Sequence, residues 1–237
     1  MRTKVIYEDK DIIVAQKPAG LATQTARVGQ ADMVSELKNH IAPAQGGKSP
    51  YLGVIHRLDQ PVEGLLVFAK NQKAAADLTK QLSGQTLNKQ YYAAVCGYAP
   101  APEGELVDYL WKTPDGKAQV VTGEQDKYPE AKCAILRYRI IGERNLLPSS
   151  TGSGVFFTDI HIETGRFHQI RAQMAHAGMP LLGDVKYGTE ESMARSRELS
   201  VRNVALCAYK LEFLHPFTGK PLSFCIKPEG KVFAAME

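Results

Sequence analysis

A charged segment interrupts one of the most apolar stretches of the sequence. His56, Arg57 and Asp59 lie between two apolar runs of the kind found in core strands. Because an isolated buried charge is costly, Asp59 belongs either to a structural ion pair or to a nucleophile or acid-base group. Composition alone favours the ion pair. Glu63, four residues after Asp59, also makes the paired-carboxylate chemistry of glycosidases conceivable.

A second polar cluster lies where a helix is predicted to begin. Arg166, His168 and Arg171 follow one another there with no acidic residue among them. The free N–H groups and the positive dipole end of a helix could bind a phosphate together with Arg166. A solvated helix start fits the same pattern, because Arg166 and Arg171 do not share a helix face in a simple way.

Two adjacent tyrosines form the third cluster. In a strand, Tyr91 and Tyr92 point to opposite faces, so that one could enter a cleft while the other packs. Packing is the commoner role of a strand tyrosine. The sequence contains none of the glycine, cysteine or histidine motifs that bind nucleotide cofactors, phosphates or zinc. We therefore expect neither a cofactor nor a metal.

Short strands with a few helices must position these clusters. We expect an α+β fold with a mostly antiparallel central sheet flanked by helices and loops. The loops are predicted at 42–50 and 147–154, and residues 99–130 are rich in Pro, Gly and charge, with a hairpin turn at Asp115-Gly116. The pattern predicts strands at 4–7, 12–15, 89–97, 131–141, 155–162, 206–213 and 222–226, and helices at 32–41, 71–82 and 167–176.

The composition is that of a folded protein in a reducing compartment. Of the 237 residues, 44% are hydrophobic and 23% charged, which excludes collagen-like, coiled-coil and disordered classes. No apolar run reaches the ~20 residues of a membrane helix, and the N-terminus does not fit a signal peptide. The four widely spaced cysteines indicate buried free thiols, so we expect a cytoplasmic protein. The net charge of +4 permits an anionic partner without requiring one.

Taken in order, these clusters resemble the RluA-type pseudouridine synthases. The resemblance depends most on the combination of HRLD at 56–59 with GRFHQIR at 165–171, which is far more specific than either motif alone. The matching segments lie at 18–20, 53–59, 64–70, 89–91, 165–171, 180–188 and, near the end, at 208–209 and 215–216. They span about residues 5–226, so we expect residues 1–237 to form a single catalytic domain without the S4-like RNA-binding domain of many relatives.

The resemblance implies an isomerase that converts uridine to pseudouridine in ribosomal or transfer RNA without a cofactor. By this resemblance Asp59 is the essential catalytic residue, the ring of Tyr91 faces the target uracil, and Arg171 pairs with Asp59. Arg57 fills the space vacated by the base or contacts the RNA backbone. His56, Arg166 and His168 are the other residues expected to bind RNA. We expect a monomer that acts on an RNA stem-loop, with no membrane and no obligate protein partner.

The sequence departs from the family pattern in three places. Val62-Glu63 replaces the usual Thr-Ser, Phe167 stands where Thr is frequent, and Gln173-Met174 replaces His-Leu. Glu63 thereby adds a carboxylate near Asp59. Two other functions remain open, an inactive RNA-binding protein on the same fold and a glycoside hydrolase that uses Asp59 and Glu63. The segments 99–130 and 189–203 are the candidates for selecting the target RNA.

Overall fold

A computed structural model of the chain describes residues 2–25, 27, 29–45, 49–97, 99, 101–123, 127–144 and 154–236. The chain divides into two compact units. Unit 1 comprises Met1–Lys89 and Cys207–Glu229, and unit 2 comprises Gln90–Leu206 and Gly230–Glu237. Among the described residues, no helix has the length and apolar character needed to cross a membrane.

Eleven strands and four α-helices are described, together with two short 3-10 helices. The strands are β1 (Lys4–Glu8), β2 (Ile12–Lys17), β3 (Gly53–Val54), β4 (Glu63–Ala69), β5 (Asn88–Gly97), β6 (Glu103–Lys112), β7 (Ala118–Val121), β8 (Lys132–Arg144), β9 (Gly154–Ile162), β10 (Leu206–Leu214) and β11 (Pro221–Cys225). The α-helices are α1 (Met33–Ile41), α2 (Gln72–Ser83), α3 (Gln169–His176) and α4 (Glu190–Glu198), and the 3-10 helices are Ala42–Gln45 and Lys231–Met236.

The sheet of unit 1 is centred on β4, which is buried along its whole length. Its strands follow the order β1-β2-β4-β10, with β3 also paired to β4 and β11 to β10. All these pairs are antiparallel except that of β4 with β10, where Glu63 lies opposite Cys207 and Gly64 opposite Ala208. Gly64 has φ +137°, and a Cβ there would lie 2.5 Å from the Ala208 nitrogen, so this close approach requires glycine.

The sheet of unit 2 is antiparallel throughout, in the order β5-β9-β8-β6-β7. The turn between β6 and β7 contains Asp115-Gly116, as predicted, and Gly116 adopts φ +77° there. The helix α3 contributes Ala172 to a buried apolar cluster with Leu110, Ala118 and Ala134. Strands β6 and β8 and the β6–β7 hairpin therefore support the helix that carries Arg171.

The expected α+β fold with mostly antiparallel strands is confirmed. Local signals place α1 and α2 correctly, because Asp32 and Asn71 accept hydrogen bonds from Ser35 and Ala74 as N-caps. All four cysteines are free, but burial holds only for Cys96 and Cys207, since Cys133 is partly exposed and Cys225 is exposed.

The structure departs from the predicted elements in three places. The second strand runs on to Lys17 instead of ending at Ala15, because Lys17 pairs with Gly64 across β4. The predicted turn at Asp115-Gly116 is flanked by the strands β6 and β7, which the sequence pattern did not predict. The third helix begins at Gln169 and not at Phe167, since His168 has φ +50°. The loop predicted at 147–154 lies outside the described residues except for Gly154.

Candidate active site

The loop of residues 55–62 joins β3 to β4 in unit 1 and carries the HRLD motif. Asp59 is partly exposed, and its carbonyl accepts the Val62 N–H at 3.0 Å, which forms a turn immediately after the carboxylate. Arg57 is exposed on the same loop. The loop therefore presents a carboxylate and a guanidinium to solvent from a short connection between two paired strands.

Hydrogen bonds from the segment after β2 hold both neighbours of Asp59. The Leu58 N–H donates to Thr23 Oγ1 at 3.2 Å, and the Thr23 hydroxyl donates to the Leu58 carbonyl at 3.0 Å. On the other side, the Gln60 carbonyl accepts the Gly20 N–H at 2.8 Å, and the Gln60 amide donates to the Gly20 carbonyl at 3.2 Å. The backbone at Asp59 is thus fixed from both directions.

His56 anchors the same loop from inside unit 1. Its ring is buried, and its Nε2 accepts the Val67 N–H at 3.3 Å. Burial, together with the charge of Lys89, lowers the pKa of His56 well below its usual value, so the ring is neutral and able to accept. The structure therefore gives His56 an anchoring position, and its contact with RNA stays a prediction.

Lys17 is a site residue that sequence reasoning missed. It is fully buried at the end of β2, and its Nζ donates to the carbonyls of Pro18 at 3.2 Å, Leu21 at 2.6 Å and Gln60 at 3.1 Å. One ammonium therefore ties the end of β2 to the residue after Asp59. The available signal is a lysine that ends an apolar strand directly before a Pro-x-Gly turn.

The charge of Lys17 is coupled to two carboxylates. Burial lowers the pKa of Lys17 to about 7, while the charges of Asp59 and Glu63 oppose that shift. Glu63, which departs from the family pattern, is buried at the start of β4 and accepts the Glu229 N–H at 3.1 Å. Glu63 therefore has a structural hydrogen bond of its own.

Arg171 forms a buried two-point ion pair in unit 2. Its Nε lies 2.7 Å from Oδ2 of Asp184 and its Nη2 lies 2.8 Å from Oδ1. The guanidinium carbon also lies 5.1 Å from the centre of the Tyr187 ring. These contacts fix the plane of the guanidinium. The pairing of Arg171 with Asp59 stays a prediction.

The residues just before α3 are far more exposed. Arg166 is exposed, and its Nε donates to the Cys133 carbonyl at 2.8 Å. Phe167 is 40% exposed and stacks on His168 with ring centres 3.8 Å apart. The His168 Nδ1 lies 2.8 Å from the Tyr187 hydroxyl. This segment presents a cation and an aromatic ring to solvent.

Tyr91 lies in β5 opposite Ile160 of β9 and is only 5% exposed. Tyr92 lies opposite Asp159 and is more exposed, so the two tyrosines take opposite faces of the strand as predicted. A buried ring in a paired strand has a fixed orientation. The contact of that ring with a uracil stays a prediction.

Among the described residues, one group could match a metal ion by residue type. Asp9, Asp11 and His215 place ligand atoms within 4.8 Å of one another. However, the His215 Nδ1 accepts the N–H groups of Phe217 and Thr218, so its Nε2 carries the proton and donates to Asp9 at 2.9 Å. These hydrogen bonds account for His215 without a metal.

The structure therefore places the predicted site residues in two groups. His56, Arg57 and Asp59 share the 55–62 loop of unit 1. In unit 2, Arg166, His168 and Arg171 follow one another at the start of α3, while Tyr91 lies in the sheet. The carboxylate of unit 1 lies on a loop whose backbone is held by hydrogen bonds. In unit 2 the Arg171 guanidinium is fixed by Asp184, and the segment before it is exposed and cationic.

Comparison with known proteins finds similarity along most of the chain. The sequence model of a family described as RNA pseudouridylate synthase matches residues 11–176. The chain is 31% identical over 227 residues to ribosomal large subunit pseudouridine synthase D of Zymomonas mobilis, covering 93% of this chain and 68% of that protein. It is 29% identical to tRNA pseudouridine synthase C of Vibrio cholerae, covering 92% and 88%.

A third relative, ribosomal large subunit pseudouridine synthase D of Vibrio cholerae, is 33% identical, and the alignment covers 93% of this chain but 65% of that protein. Among solved structures, human RNA pseudouridylate synthase domain containing 4 superposes with a TM-score of 0.71 at 20% identity, covering 98% of this chain and 91% of that one. That structure supports the fold alone.

Proposed function

Since the chain belongs to the RNA pseudouridylate synthase family, we propose that it isomerises uridines of ribosomal or transfer RNA, with Asp59 as the catalytic residue. The observation that carries this proposal is the family match over residues 11–176, which contains Asp59, Tyr91 and Arg171. Relatives named for both kinds of RNA match the chain over more than nine-tenths of its length.

The reaction rearranges one nucleotide without net addition or loss. The bond from uracil N1 to ribose C1′ breaks, the uracil turns, C5 bonds to C1′, and the proton leaves C5 while N1 gains one. The carboxylate of Asp59 begins this sequence by attacking the nucleotide or by removing a sugar proton. The hydroxyl of Tyr91 assists the loss of the C5 proton, and Arg171 orients the carboxylate.

The 55–62 loop suits this task because its backbone is already held. Hydrogen bonds to Leu58 and Gln60 fix the chain on both sides of Asp59, so little ordering remains when RNA binds. Arg57, exposed beside Asp59, fills the space that the target base leaves or contacts the RNA backbone. Removing a base from its stack costs about a few kcal/mol, and the cost is smallest in a loop. This favours stem-loop substrates.

We also propose that units 1 and 2 act as one catalytic domain, since the family match runs through both. We further propose a monomer without an obligate protein partner. Four unpaired cysteines support a reducing compartment such as the cytoplasm. Light scattering of the purified protein tests the monomer, and cell fractionation tests the location.

Comparative pseudouridine mapping tests the function directly. We expect at least one pseudouridine of ribosomal or transfer RNA to disappear when the protein is removed from its cell and to return when it is restored. An unchanged map would contradict the proposal and favour an RNA-binding protein on the same fold. Release of free uracil from RNA by the purified protein would favour a glycoside hydrolase instead.

A further inference from the structure

Unit 2 contains a cavity of about 510 Å³ between the β6–β7 hairpin and the exposed side of α3. The hairpin contributes Lys117 and Val120, and α3 contributes Ala175 and His176. Tyr187 lines the same space. This volume lies within the range of about 300–1,000 Å³ that is typical of small-molecule sites and is ample for one nucleotide.

The mouth of the cavity carries an excess of positive charge. Lys117 is exposed there, and the Lys186 Nζ lies close by, donating to the Gly116 carbonyl at 3.2 Å. The nearby carboxylate is Asp115, whose pKa is lowered by a hydrogen bond from Thr113 and by the charges of both lysines. Two ammonium groups thus face one carboxylate, which leaves a net attraction for an anion.

The wall of the cavity offers an aromatic ring and small apolar side chains. The Tyr187 hydroxyl accepts the Ala118 N–H of the hairpin at 2.6 Å, which fixes the ring. Val120 and Ala175 are only partly buried, so apolar surface remains open to a ligand. A base packed on this wall would bury its apolar surface away from water and would contact a fixed aromatic ring.

Tyr187 also joins the cavity to the predicted catalytic machinery. The same ring lies under the guanidinium of Arg171, at 5.1 Å, and Ala172 of the cavity wall is the next residue of α3. A ligand in the cavity therefore lies one side chain away from the Arg171–Asp184 pair.

We propose that this cavity binds a second nucleotide of the RNA substrate, with its base against Tyr187 and Ala175 and its phosphate at Lys117 and Lys186. The inference rests on the proposed function, since it assigns part of the same RNA to a site in unit 2. It gives the β6–β7 hairpin, within the 99–130 segment, a physical means of selecting the target.

Two variants test the two halves of this site. Lys117→Gln removes one charge, and Ala175→Trp fills the cavity from α3. A matched control is Lys73→Gln, which changes an exposed lysine of α2 in unit 1. The probe is a transcribed RNA stem-loop that the wild-type protein converts, with binding measured at several salt concentrations.

We expect each cavity variant to weaken RNA binding about fivefold, and Lys117→Gln to lower the slope of log affinity against log salt concentration by about one phosphate contact. The control should change neither. Equal binding by wild type and both variants would overturn the proposal. If only Lys117→Gln weakens binding, the lysine contacts RNA but the cavity holds no nucleotide. If only Ala175→Trp weakens binding, the lysine does not contact the phosphate. Either result contradicts the proposal.

Failure of this inference is distinguishable from failure of the proposed function. If wild type converts the RNA but the cavity variants bind as well as wild type, only the second nucleotide site is wrong. If wild type converts no RNA, the proposed function itself fails. Thermal unfolding of each variant checks that weaker binding does not reflect a loss of folded protein.

Discussion

The loop that carries Asp59 and the segment that leads into α3 are held in opposite ways. Around Asp59, a buried lysine, a buried histidine and a threonine hydroxyl all bond to the loop or to the strands beside it. Before α3, Arg166 and Phe167 are exposed, and buried anchoring begins at Gln169, whose side chain accepts the Arg166 N–H and donates to the Ile135 carbonyl. We therefore expect the carboxylate to be positioned before RNA binds, and we expect the segment before α3 to gain its contacts from the bound RNA.

Replacing Arg171 should have the largest effect on folding. Arg171→Met leaves the buried Asp184 carboxylate without its partner, so we expect a loss of about 3–5 kcal/mol in the free energy of unfolding, measured by urea denaturation. The control is Arg137→Met, which removes an exposed arginine that pairs with Glu105 and Glu163 and should cost under about 1 kcal/mol. Equal effects would show that burial does not distinguish the two pairs.

Replacing Lys17 should loosen the Asp59 loop. Lys17→Met leaves the carbonyls of Pro18 and Leu21 without their amine donor, and we expect a loss of about 2 kcal/mol in the free energy of unfolding at pH 8. The rate of RNA conversion should fall further than RNA affinity, because the loop that positions Asp59 is disturbed. Lys10→Met, at an exposed position between β1 and β2, should change neither. A variant with normal kcat would contradict the positioning role.

The same lysine predicts a pH dependence of stability. The pKa of Lys17 is about 7 in the folded chain and about 10.4 when unfolded, so unfolding takes up a proton between these values. The contribution of Lys17 to the free energy of unfolding therefore rises between about pH 7 and pH 10, by at most about 1.4 kcal/mol per pH unit. The free energy of unfolding of wild type should therefore exceed that of Lys17→Met by an amount that grows across this pH range, as measured by urea denaturation. A constant or shrinking difference would refute the lowered pKa.

Replacing Arg166 should affect RNA and leave folding almost unchanged. Its side chain is exposed, so Arg166→Gln should alter the free energy of unfolding by under about 0.5 kcal/mol. RNA binding at about 0.1 M salt should weaken about fivefold. The slope of log affinity against log salt concentration should decrease by the amount expected for about one phosphate contact. Arg27→Gln, at another exposed arginine, is the control. Unchanged RNA affinity would show that Arg166 does not contact the RNA.

Much of the fold was predictable because its signals are local. The capping side chains Asp32 and Asn71, the spacing of apolar residues in α1 and α2, and the Asp115-Gly116 turn each act within a few residues. The β6 strand was missed because its glycine and charges resemble a loop. Its regular structure comes from pairing with β7 and β8, a tertiary effect that a local pattern does not contain.

The predictions for the site came from motifs, and they stay predictions for Asp59, Tyr91 and Arg171. The motifs gave no indication of the buried Lys17, since lysine is rarely buried and its three carbonyl partners come from two separate segments. Asp184 was likewise not recognised as the ion-pair partner of Arg171, because the two residues are brought together only by the folded chain. Long-range partners of buried charges require the structure.

We propose that Asp59 performs the isomerisation. The most direct test of this role is release of tritium from C5-labelled uridine in transcribed RNA by wild type and by Asp59→Asn. We predict steady release by wild type and no measurable release by the variant, which should still fold and bind the RNA to within about twofold, because the change removes charge but little volume. Release of tritium by Asp59→Asn at the wild-type rate would show that Asp59 does not perform the isomerisation.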